Sequence, residues 1–119
     1  MLRTLASATA LTIALFGLTA CGDGDGSTEG DAPVPIEVTF EGDTVTPNGK
    51  RVEVETGQSV ELDITADAPG EIHVHSDPEQ SLEYDEGTST IEIEGIDQPG
   101  VVDVESHDLD VVIVQLEVS

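Results

Sequence analysis

The residues with the most chemistry in this chain are three histidines and one cysteine, His73, His75, His107 and Cys21. Side chains alternate along an extended strand, so positions two apart project from one face. Ile72-His73-Val74-His75 is such a stretch. Ile72 and Val74 suit a core, which places His73 and His75 together on the opposite face with Glu71. Val102 and Val104 repeat the pattern and leave Asp103, Glu105 and His107 pointing away from the core. If the two strands are neighbours, three imidazoles and the Glu105 carboxylate converge into a nitrogen/oxygen ligand set. Such a set suits Cu(II) or Zn(II), since imidazole binds both and affinity favours copper. His73, His75, His107 and Glu105 are therefore the expected metal ligands. The same residues also fit a plainer reading, in which they are solvent-facing histidines on an acidic surface and hold no ion.

Cys21 has a different chemistry. It is the only cysteine and closes an apolar N-terminal run that starts after Arg3 and continues through Leu18. A short basic region, an apolar core too short to span a bilayer and small residues at the end form a secretory signal. Leu18-Thr19-Ala20-Cys21 also resembles the lipobox of bacterial lipoproteins. The resemblance implies cleavage after Ala20, with residues 1–20 as signal peptide, and a diacylglyceryl thioether on Cys21. Two or three acyl chains hold a protein far more firmly than one. The expected location is the extracytoplasmic face of the cell membrane, with the lipid anchor as the membrane contact. A lipidated Cys21 also leaves the mature chain without a disulfide, so a packed core must carry stability.

The chain's formal charge of −23 becomes −24 when Arg3 leaves with residues 1–20, because 26 acids then face only Lys50 and Arg51. Nucleic acid and anionic lipid head groups would be repelled, so neither is an expected partner. Acid-rich, lysine-poor surfaces of this kind resemble those of halophilic proteins, where salt screens carboxylate repulsion. Residues 21–35 begin with the lipidated cysteine. They continue as Gly-Asp-Gly-Asp-Gly-Ser-Thr-Glu-Gly-Asp-Ala-Pro-Val-Pro, a composition expected of a flexible linker. The Asp23-Gly-Asp25 start is not a calcium loop, since Thr28 and Val34 stand where the loop needs its glycine and its bidentate glutamate.

From Ile36 onward the apolar period is two. Ile36–Phe40, Val52–Glu55, Val60–Ile64, Ile72–His75, Ile91–Glu94, Val101–Ser106 and Val111–Val118 read as strands, and Leu82–Tyr84 as a short edge segment. Gly and Pro punctuate them, and no segment has helical period. The continuous Val111-Val-Ile-Val114 run suits a strand covered on both faces. Residues 36–119 thus form one all-β sandwich domain built on Val, Ile and Leu, and it is expected to be monomeric.

The order of the Gly57-Gln-Ser-Val60 turn, the His73-Val-His75 strand, the Gln98-Pro-Gly100 turn and a final Val-rich strand resembles a cupredoxin-like domain. The resemblance covers residues 36–119 and implies a Greek-key β-sandwich. In that family one copper ligand is a mid-chain histidine. The others, a cysteine, a histidine and often a methionine, follow the Pro-Gly. Counting from Gly100, Ser106 stands where many cupredoxins carry the cysteine, and the mature chain has no methionine. A blue-copper centre needs a thiolate, so that centre is not expected, nor is Cu(I) storage on soft ligands. An enzyme is not expected either. A His-x-His strand with a distant third histidine is the zinc arrangement of carbonic anhydrases, but a small domain with few aromatics offers little room for the deep cavity it needs. No nucleophile elbow or phosphate-cradling glycine loop is present. The sequence therefore leaves two functional readings. One is an anchored binding domain with a sulfur-free copper (alternatively zinc) site; the other is a metal-free adhesion or accessory module for another envelope protein.

Overall fold

A computed structural model describes residues 32–119. The signal segment, Cys21 and the linker up to residue 31 lie outside the described residues. Nine strands occupy the domain: β1 Val34–Glu41, β2 Thr44–Thr46, β3 Lys50–Val54, β4 Val60–Ala66, β5 Gly70–Val74, β6 Gln80–Tyr84, β7 Gly87–Ile93, β8 Gly100–Ser106 and β9 Val111–Val118. They form two facing sheets, ordered β2-β1-β4-β7 and β3-β9-β8-β5-β6. β1 pairs with β4 and β3 with β9 in parallel, while the other ladders are antiparallel. The result is an all-β Greek-key sandwich.

The period-two residues do the work expected of them. Leu62, Ile64, Ile72, Val74, Val104, Ile113, Val114 and Leu116 are completely buried between the sheets. Fully burying a branched aliphatic side chain stabilises by about 1.5–3 kcal/mol relative to exposure, so a core of this type replaces the missing disulfides. β1 starts at Val34, ahead of the alternation at Ile36. The Val34 N–H donates to the Ser59 carbonyl at 3.0 Å. Pro35 fits inside the strand because β2 pairs only with Thr39–Glu41 and leaves one side of β1 open there. β2 itself went unread: three residues with one buried side chain, Val45, carry too little alternation to register.

One sequence expectation is corrected. The Val111–Val114 run is not a strand buried on both faces. The β8–β9 register passes from Val104 opposite Val114 to Glu105 opposite Val112, so Ile113 has no partner. This bulge inverts the alternation and lets two successive residues, Ile113 and Val114, both face the core. Val112 stays half-buried.

The core's aromatic contribution is one pair. Phe40 and Tyr84 stack with ring centroids 4.7 Å apart. Burial pushes the Tyr84 phenol above its usual range, and Asp108 and Asp67 push it further. Tyr84 is the only tyrosine in the chain, so phenolate absorbance reports it alone. The neutral phenol is the form the fold favours. Its contribution is complete below the unfolded value of about 10 and is lost as pH rises through the folded value. Spectrophotometric titration should give a midpoint above 10, with the melting temperature falling over the same range. A midpoint at the ordinary value would show the phenol to be solvated.

Candidate metal centre

The centre sits on the outer face of the β3-β9-β8-β5-β6 sheet, and the β5–β8 register builds it. His73 lies opposite Glu105 and Ile72 opposite Ser106. The ladder runs past both strand ends, since the His107 N–H donates to the Glu71 carbonyl at 3.0 Å and the His75 N–H to the Asp103 carbonyl at 2.9 Å. His73 and His107 are thereby diagonal neighbours, as are His75 and Glu105. Long side chains reach across such diagonals. The imidazoles of His73 and His107 stack with centroids 4.6 Å apart and planes 24° apart. His75 Nε2 lies 2.9 Å from Glu105 Oε2. The His73 and His75 rings are 6.4 Å apart and nearly perpendicular.

Two further carboxylates enter the cluster. Glu71 pairs directly with His73 Nε2. Glu79, on the turn between β5 and β6, places Oε1 3.7 Å from His73 Nδ1 and 4.0 Å from His75 Nδ1. Hydrogen bonding from His75 holds the Glu105 carboxyl below the usual carboxylate range; Asp110 and the charges of His75 and His73 act in the same direction. On its other side Glu71 stands opposite Glu83 across the β5–β6 ladder. Like charges directly opposite one another destabilise a sheet unless something positive lies between them.

Glu71, His73 and His107 offer three ligand atoms, all within 4.8 Å of one another. Ligands bonded to one ion at about 2.0–2.1 Å lie at most about 4 Å apart, a spacing that the set approaches. Stacked rings cannot both aim a nitrogen at one ion. His107 is exposed and has room to turn, whereas His73 is half-buried. Among the sequence-derived residues, the structure thus brings His73 and His107 into one triad and leaves His75 and Glu105 as an adjacent pair. The triad's carboxylate is Glu71 rather than Glu105. Glu71 was visible on the histidine face from alternation alone, while Glu79 carried no signal because a turn delivers it.

Ser106 occupies the opposite face. It is completely buried, and its Oγ accepts from the Leu109 N–H at 3.3 Å. The position matching the cupredoxin cysteine therefore points into the core, away from the histidine cluster. A cleft of about 680 Å³ lined in part by Lys50 and Arg51 contains none of these residues.

No protein-family model matches the chain, and no curated protein matches it either. Solved structures do. A methionine-to-alanine variant of amicyanin in its Cu(I) form superimposes with a TM-score of 0.51 at 13% identity, over 75% of this chain and 84% of amicyanin. The fold is cupredoxin-like. Dithionite-reduced auracyanin from the photosynthetic bacterium Roseiflexus castenholzii gives a TM-score of 0.51 at 14% identity, over 74% of this chain and 98% of auracyanin. A multi-copper oxidase from Pediococcus acidilactici also gives 0.51 at 13% identity, with 30% of its own length covered. At these identities the likeness concerns the cupredoxin-like fold.

Proposed function

We propose that this protein is a membrane-anchored, extracytoplasmic lipoprotein whose cupredoxin-like domain binds one Cu(II) ion on the outer sheet face. Glu71, His73 and His107 would hold the ion, with His75, Glu79 and Glu105 beside them. The observation that carries the reading is the Glu71–His73–His107 group, drawn from β5 and the residue that follows β8 and brought together by one ladder. Imidazole and carboxylate are borderline-to-hard donors, and Cu(II) stands highest in affinity among divalent first-row metals for such sets. The Cu(I) form of the structural neighbour amicyanin adds support for the metal class. The ligand position differs from the one that the cupredoxin resemblance implies, because Ser106 offers no thiolate and faces the core. Such an ion supplies a positive charge where Glu71 and Glu83 oppose each other, and its donor set favours Cu(II) over Cu(I).

The adhesion or accessory reading has less behind it. Val101 is the one large hydrophobic side chain exposed among the described residues, so those residues form no broad apolar docking patch.

The test is a Cu(II) titration of the intact protein in detergent, free of chelators and histidine tags. One ion per chain should bind near neutral pH, with a weak absorption band and no intense blue colour, since no copper–thiolate bond forms. Multiple weak binding events of equal strength would instead indicate scattered surface carboxylates and overturn the proposal.

A further inference from the structure

The triad borders a groove of about 450 Å³, and two of its members, Glu71 and His107, form part of the groove wall. The rest of the polar lining comes from Glu83, Asp85, Asp108 and the Tyr84 hydroxyl. Asp108 is fixed there, because its Oδ2 accepts the Glu71 N–H at 3.1 Å. Glu83 and Asp85 are exposed and flank the buried Tyr84. Three protein ligands leave a position open on an ion that takes four or more, and the groove is the space next to it.

We propose that this groove is the open side of the metal centre and admits a neutral nitrogen donor, such as an imidazole, while excluding anions. The inference rests on the copper-binding reading given above. Its physical basis is the sign of the field. An incoming anion must pass Glu83, Asp85 and Asp108 on a chain of formal charge −23, and a concave site lined by one charge sign concentrates that field. Tyr84 reports the same sign from within the groove, since Asp108 adds to burial in opposing its ionisation. A neutral imidazole meets no such barrier. A partner protein could therefore reach the ion with a histidine, whereas free anions could not.

The experiment compares two probes, imidazole and azide, on the Cu(II)-loaded intact protein, read by the copper d–d absorption and electron paramagnetic resonance. In dilute buffer imidazole should shift both signals and azide should not. Raising salt from about 0.01 M to about 1 M shortens the screening length from about 30 Å to about 3 Å. Azide affinity should then rise about tenfold, while imidazole affinity changes less than about twofold. A Glu83→Gln/Asp85→Asn double variant replaces two exposed charges outside the ligand triad. It should admit azide in dilute buffer without altering copper stoichiometry. Azide binding as readily as imidazole to the unaltered loaded protein in dilute buffer would overturn the groove's selectivity and leave the metal site standing. Absence of bound copper would overturn both.

Discussion

His73→Ala should weaken Cu(II) binding at least about 100-fold, beyond the 10- to 100-fold usual for losing an outer partner of a metal ligand. The side chain is central in the geometry: it pairs with Glu71, stacks on His107 and approaches Glu79. His107→Ala should have a comparable effect. His73 lies on β5 and His107 just past the end of β8, so they can share an ion only through the β5–β8 ladder. His75→Ala should cost about tenfold, because His75 belongs to the adjacent pair with Glu105. Cu(II) affinity should fall on acidification, because protons compete with the metal for the ligand nitrogens. Bound copper should also raise the melting temperature, since a ligand at about 100 times its Kd stabilises by about 2.7 kcal/mol. His73→Ala should abolish that rise while leaving the metal-free melting temperature nearly unchanged, because the side chain lies outside the core. Equal, small losses for all three alanine variants would contradict the triad and favour dispersed binding.

The parts of this architecture that were legible in the sequence are those governed by alternation. Val60-Glu-Leu62-Asp-Ile64 declares its buried face directly, and β4 buries those three aliphatics. The same rule put Glu71, His73 and His75 on one outer face. Register was not legible, because alternation says which face a residue takes and nothing about what lies across the ladder. Glu105 was therefore the expected carboxylate, whereas the ladder sets Glu71 directly beside His107 and close to His73. Glu79 depends on the β5–β6 turn folding back over the histidines, a tertiary event without a local pattern. The bulge at Ile113 is the complementary case. An apolar run produced by a one-residue insertion looks identical, in sequence, to one produced by burial on both faces. The inward orientation of Ser106 follows from the same ladder. It separates the candidate ligands here from the position that carries a thiolate in cupredoxins.

Cys21→Ser should release the protein from membranes or leave it unprocessed with residues 1–20 attached. Each acyl methylene buried in a bilayer contributes about 0.8 kcal/mol, and one myristoyl chain alone gives only reversible association, with a binding constant of about 10⁴ M⁻¹. Two or three chains on Cys21 would make dissociation negligible over any fractionation, so a processed Cys21→Ser chain changes from fully sedimenting to fully soluble. The acidic surface sharpens this contrast. With 26 acids in the chain, electrostatics opposes any residual attachment to anionic head groups. Intact-mass measurement separates the two permitted results, a processed soluble chain and an unprocessed one. A Cys21→Ser protein that sediments with membranes at the parent's mature mass would exclude lipid anchoring. The processed soluble form should still bind one Cu(II). The β1 ladder begins at Val34 with its bond to the Ser59 carbonyl, and every candidate ligand lies from Glu71 onward. Anchor and ion thus report on separate stretches of the chain, and failure at one leaves the other open to its own measurement.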